Sequence, residues 1–180
     1  MLLQIQLPER EEMLAINRQR WCEVLEDPQW HDYAGRIETN GFGQIVVSPP
    51  PNKLHSARQG AILVHLHQAL GKSVMAECPI STPDGVKSAD VAWCSPTRYA
   101  EVAGQSTFEI APEICIEVLG PSNTTAEMQA KRQLYFAAGA VESWICDLEG
   151  RMIYYHCDRP DTPMTKSILC PDFPNSITDN

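Results

Sequence analysis

Residues 113–119, Glu-Ile-Cys-Ile-Glu-Val-Leu, constrain the fold most, because Gly120-Pro121-Ser122-Asn123 ends them abruptly. A short apolar run closed by a glycine–proline turn reads as a mostly buried strand. Side chains alternate across a strand. Ile114, Ile116 and Val118 therefore share one face, and Glu113, Cys115 and Glu117 the other. Burying a lone carboxylate costs several kcal/mol unless it is paired, hydrogen-bonded or bound to a metal. Glu117 lies near the C-terminal end of the strand, where open α/β sheets gather their sites. It is either an edge carboxylate in water or part of a site.

The flanking chain supplies a domain around that strand. Residues 8–26 read as a helix, with Pro8 near its start, an apolar stripe of Met13, Ile16, Trp21, Val24 and Leu25, and Asp27-Pro28 as its stop. Asn40-Gly41 between two extended runs, 36–39 and 44–48, is a hairpin signal, and Pro49-Pro50-Pro51 is a stiff connector. A second helix is predicted over Lys53–Leu70, with Gly71 as its stop and Ala57, Ala61, Val64, Leu66 and Leu70 as its apolar members. Strands are predicted at 73–80 and 88–94 around a Thr82–Gly85 turn, then a short helix or loop to about 111. After the opening strand comes a helix from 124 or 125 to 138, closed by Gly139, and a hairpin of 143–148 and 151–157. The tail is rich in proline and polar residues, with one edge strand at 167–170 and otherwise loosely held. The expected division is an N-terminal helical extension over 1–32, a main domain over 33–160 and a tail over 161–180.

Composition excludes several classes. No apolar run approaches the ~20 residues of a membrane span. The N-terminus lacks the basic region and apolar core of a signal peptide. Seven cysteines without a CxxC pair read as reduced, mostly buried thiols of a cytoplasmic protein, and a zinc site built from them has little support in the spacing. A net charge of −9 argues against a broad basic surface for nucleic acid, though not against a local groove or a metal that screens the acids. There is no P-loop, GxGxxG or GxSxG.

Three residues break the pattern of their own elements. Met128, Leu134, Tyr135 and Ala138 mark the inward stripe of the third long helix, and Lys131 falls inside it. A lysine there can lay its stem on apolar surface and send its ammonium into a wet cleft, or it can sit at the stripe's edge paired with Glu127. Asp90 interrupts an otherwise apolar strand, Ala89 to Cys94. With Glu117, these make two carboxylates and a lysine that a helix packing back onto the sheet can bring together. That set suits divalent-metal phosphodiester hydrolysis, because hard oxygen ligands favour Mg²⁺ and the lysine stabilises developing charge. His55, near the start of its helix, is the histidine of interest. His65 and His67, two apart on that helix, point to different sides and cannot share a metal.

The ordered series resembles the PD-(D/E)XK nuclease superfamily and, within it, the bacterial Uma-two family of restriction-endonuclease-like proteins, catalogued as a domain of unknown function. The pieces are Arg36-Ile37-Glu38, Pro49-Pro50-Pro51 to His55, Ala89-Asp90-Val91, Glu117-Val118-Leu119-Gly120-Pro121-Ser122, Lys131-Arg132-Gln133-Leu134-Tyr135 and Ser143-Trp144-Ile145-Cys146-Asp147. They cover about residues 33–157. The resemblance implies a restriction-endonuclease-like α/β (α+β) fold, a mixed central β-sheet flanked by helices. It implies Asp90 and Glu117 as ligands of Mg²⁺ or Mn²⁺, Glu38 as a further acid, and Lys131 in place of a lysine absent two residues after Glu117, where Leu119 stands. Glu77 is a weaker candidate ligand. Ala89 stands where the family has proline and Gly120 where it has serine; neither removes a catalytic side chain. The expected activity is metal-dependent endonucleolytic cleavage of DNA by a homodimer that needs no membrane. The alternative is a catalytically weak or inactive module on the same fold, acting in binding or protein interaction.

Overall fold

The computed structural model describes residues 9–177; Pro8 lies outside them. Helix α1, Arg10–Glu26, ends where Asp27 turns extended ahead of Pro28. Strands β1, Arg36–Thr39, and β2, Ile45–Ser48, form a separate hairpin in the register Arg36↔Ser48 to Thr39↔Ile45. Its turn is held by the Asn40 side chain, which accepts from the Phe42 and Gln44 amides, each at 3.0 Å. Helix α2, Lys53–Leu70, is capped at its start by Asn52, which accepts from the His55 amide at 2.9 Å. Gly71, at φ +79° and ψ −144°, takes a backbone conformation open chiefly to glycine, which ends it.

The main sheet holds β3 (Val74–Thr82), β4 (Gly85–Trp93), β5 (Ile114–Val118), β6 (Glu142–Cys146), β7 (Met152–His156) and β8 (Arg159–Met164), in that spatial order. A short helix α3, Pro96–Glu101, follows β4. Every adjacent pair is antiparallel except β5–β6. Parallel neighbours need a crossover, and helix α4, Thr125–Ala137, makes it. Thr124 and Glu127 form a reciprocal capping box at its start. The result is a mixed six-stranded sheet flanked by helices, as expected.

Alternation along β5 assigns the two faces. Ile114, Ile116 and Val118 pack with Ile62 and Leu66 of α2 and with Trp144 and Tyr154. Cys115 packs with Tyr135 and Ala138 on the α4 side. Helix α1 closes one end, with Trp21 and Val24 against Val86, and Asn17 donating to Ser81 Oγ at 2.8 Å and Thr82 O at 3.0 Å.

Several expectations are corrected. Ile16 and Leu25 of α1 and Val64 of α2 are about half exposed, whereas Asn17 and Arg58 are buried. Arg58 is buried because its guanidinium serves the carbonyls of Asp147 and Leu148 at 3.0 and 2.9 Å. The last strand is Arg159–Met164, not 167–170. Pro160 and Pro163 hide it from pattern reading, yet prolines are tolerated on an edge strand that has no outer neighbour to bond. Ser167 instead donates to Glu142, a wholly buried carboxylate that also accepts from Trp144, Ile168 and Leu169. The described tail is not loosely held: Cys170, Phe173 and Ile177 are buried in the α2-side core, with Phe173 4.8 Å from the Trp144 ring. All seven cysteines are reduced thiols, five of them buried; Cys22 and Cys157 are exposed.

If the tail is part of the core, Phe173→Ala leaves a cavity beside Trp144 and costs about 3 kcal/mol in urea unfolding. A midpoint equal to that of the wild type would return the tail to a draped segment.

Candidate active site

The site forms where the sheet ladder fails. The β4–β5 pairing runs Trp93↔Ile114, Ala92↔Cys115, Val91↔Ile116 and stops. One more step would set Asp90 opposite Glu117. Instead the Asp90 carboxylate Oδ2 accepts the Val118 amide at 2.6 Å. On the other side, β3 pairs at Ala76↔Val91 and Cys78↔Ala89 but not between them. There Glu77 has φ +49°, a left-handed conformation that costs a side-chain-bearing residue of order 1 kcal/mol. The Asp90 carbonyl is taken up by Gln59 Nε2 at 2.7 Å. Side chains thus replace ladder bonds on both flanks of Asp90, and backbone groups stay satisfied.

Around that break the expected residues converge. Asp90 and Glu117 are buried, 1% and 4% exposed. Lys131 Nζ lies 2.8 Å from Glu38 Oε1, 3.3 Å from Glu117 Oε2 and 3.2 Å from Ser88 O. Glu127 is occupied by the capping box, so the edge pairing of Lys131 with Glu127 does not form. Glu38 is fixed by the Ser88 amide at 2.9 Å. His55 Nε2 lies 3.3 Å from Asp90 Oδ2, and its Nδ1 is buried with no partner among the described residues. Burial, then the nearby Arg36 charge, holds this imidazole below its ordinary pKa, so it is uncharged at neutral pH.

Three participants were not singled out from the sequence. Tyr135, read as a core residue, donates its hydroxyl to Glu117 Oε1 at 2.5 Å. Burial first and Glu117 second push the phenol well above its usual pKa, so it stays a donor. Gln59 also bonds Glu77 Oε1 at 2.8 Å. Arg36 bonds Asp90 Oδ1 directly, reaches Glu77 Oε2 at 2.9 Å, and lies 3.7 Å from Glu117 Oε2. Arg36 and Glu38 are two apart on one strand, so the period of two places them on one face, a usable signal.

A cleft of about 1030 Å³ opens beside this cluster, with Arg36, His55 and Glu77 on its floor and Trp21, Trp30 and Pro50 among its walls. Asp90, Glu117 and Lys131 do not line it. Away from it, His156, Cys157 and Asp158 bring three metal-type ligand atoms within 4.8 Å at the β7–β8 turn. His156 Nδ1 already accepts the Asp158 amide there, at 3.2 Å. Among the described residues no helix is long and apolar enough to cross a membrane.

The family model named Uma2, described as "Putative restriction endonuclease", matches residues 24–174. The chain belongs to the Uma2 family. A similar solved structure is that of "a putative nuclease belonging to DUF820" from Anabaena variabilis ATCC 29413, with TM-score 0.59 and 21% identity over 70% of this chain and 73% of that one. At that identity the likeness establishes a shared nuclease-like fold. No curated protein matches the chain.

In this Uma2 chain, Lys131 balances two acids, and its removal has a pH signature. Burial alone would raise the Glu38 carboxyl; Lys131, then the Ser88 amide, outweigh it and hold it below 4.5. A depressed carboxyl stabilises the fold above its unfolded pKa, and that stability is lost as pH falls through the folded value. Burial likewise opposes the Lys131 charge, but Glu117 and Glu38 outweigh it and hold the ammonium above 10.5. Lys131→Met leaves only the Ser88 amide and Arg36 to oppose burial of Glu38, so the stability gap to wild type is widest near pH 7 and narrows toward pH 3 in urea titrations. A gap independent of pH would assign Lys131 to packing alone.

Proposed function

We propose that this Uma2 chain is a divalent-metal-dependent endonuclease that hydrolyses DNA phosphodiester bonds. The observation that carries this reading is a charge imbalance. Glu38, Glu77, Asp90 and Glu117 surround two permanent cations, Arg36 and Lys131, with His55 uncharged. The cluster is thus short of two positive charges, the charge of one Mg²⁺ or Mn²⁺. The donor set fits such an ion: carboxylate oxygens are hard ligands, and the buried pair Asp90 and Glu117 would hold it, with Glu38 and Glu77 as further acids. Such an ion, when bound, polarises a phosphoryl oxygen and lowers the pKa of a coordinated water.

The chain's own groups have separable roles. Lys131, held by Glu38 and Glu117, carries a fixed positive charge beside the acids and stabilises negative charge developing on the phosphate. Tyr135 and Val118 fix the orientation of Glu117 and Asp90 by donating to them. His55, uncharged and against Asp90, orients that carboxylate. Cutting both strands of a duplex takes two sites, which favours a homodimer. Thiols in place of disulfides, five of the seven buried, suit a reducing, cytoplasmic setting.

One observation favours the second reading, a binding module with a weak site. Arg36 and Lys131 already pair with all four acids, so the cluster is also a self-consistent ion-pair network.

Wild-type protein is expected to nick supercoiled plasmid DNA with Mg²⁺ or Mn²⁺, and Glu117→Ala to lose at least ~100-fold of that rate. Equal rates would remove the site, and a wild type that neither nicks nor takes up millimolar Mn²⁺ by calorimetry would leave the module. Light scattering is expected to give twice the 20.1 kDa chain mass; a monomer at every concentration tested rules the dimer out.

A further inference from the structure

Arg36 stands between the acids and the cleft. Its side chain, 19% exposed, lines the cleft floor, whereas Asp90 and Glu117 behind it do not. The oxygens it faces are telling. Asp90 Oδ2 is already committed to the Val118 amide and His55, which leaves Oδ1, the atom Arg36 bonds. Glu117 Oε1 accepts from the Tyr135 hydroxyl and lies 3.4 Å from Lys131 Nζ; Oε2, which Lys131 reaches at 3.3 Å, is the oxygen nearest the guanidinium, at 3.7 Å. Arg36 thus spans one oxygen of each buried carboxylate, Asp90 Oδ1 and Glu117 Oε2, with Lys131 the other cation on the latter.

The mounting of Arg36 also differs from that of its strand mates. The far end of β1 is pinned to β4: Val86 N donates to Thr39 Oγ1, Lys87 Nζ to Thr39 O and Ser88 N to Glu38, each at 2.9 Å. Arg36 is at the opposite end of β1, paired with Ser48 just before the proline connector. Its long side chain can leave the acids by rotating about its own bonds, with the strand held in place.

We propose that Arg36 gates the metal site: its guanidinium and a divalent cation compete for Asp90 Oδ1 and Glu117 Oε2, and the cation turns Arg36 out into the cleft, toward a phosphate. This rests on the metal-site reading above. Without the ion, Arg36 offsets the repulsion among Glu77, Asp90 and Glu117. With it, two positive centres on the same oxygens repel, and the guanidinium becomes free for the bidentate phosphate contact that arginine favours.

Two measurements test the gate. In calorimetric titration with Mn²⁺ alone, Arg36→Gln binds about tenfold more tightly than wild type, because the ion no longer displaces a resident cation. In wild type, Mn²⁺ increases modification of Arg36 by an arginine-selective dicarbonyl reagent, mapped by mass spectrometry. If wild type binds Mn²⁺ and Arg36→Gln binds it equally or less tightly, the gate is overturned and the metal site stands. If neither protein binds Mn²⁺, both readings fall. If Arg36→Gln does not fold, the wild-type labelling decides: Arg36 no more reactive with Mn²⁺ than without it overturns the gate.

Discussion

An ionised carboxylate inside a sheet survives only where positive charge or donors meet it, and this structure is arranged around meeting that need at Glu117. A tyrosine hydroxyl and a lysine ammonium from α4 and a guanidinium from β1 reach it. Tyr135 is buried and Lys131 and Arg36 are mostly so, so each partner needs the carboxylate as the carboxylate needs it. Removing any one partner exposes the others to an uncompensated burial cost, which is why the cluster behaves as a unit rather than as a list of pairs.

The backbone bends to the same requirement. A regular antiparallel ladder would set Asp90 opposite Glu117 and press two like charges together. The strands give up pairing at that step, and the Val118 amide and Asp90 carbonyl find side-chain partners instead. Glu77 accepts an uncommon backbone conformation on the opposite flank. The break in the ladder lies within a sheet covered on both faces, by α2 and α4. The helices contribute unequally. Helix α2 sends its apolar face to the core and Gln59 and His55 to the site, whereas α4 sends Tyr135 and Lys131 from one inward stripe.

Much of this was legible from local pattern. Helix α2 begins and ends at the residues its caps indicate, and α4 starts at its capping box. Lys131 stood out because helical spacing put a charge on an apolar stripe, and Asp90 and Glu117 because they interrupted buried strands. The misreadings share a cause. Arg58 and Asn17 replace apolar neighbours in the core because distant carbonyls and hydroxyls satisfy them. Phe173 and Ile177 are buried by packing against a face made far earlier in the chain, with no periodicity of their own to announce it.

By itself the sequence determined the element order, the alternation that buries Glu117 and the helical stripe that carries Lys131, because these depend on spacings of two and 3.6 residues within one element. Only the tertiary structure decided which cations face which acids. Arg36 lies 54 positions before Asp90, and nothing local to either shows that a separate hairpin sets it between the carboxylates and the cleft. Such pairings arise from the docking of one element on another, which no periodicity encodes.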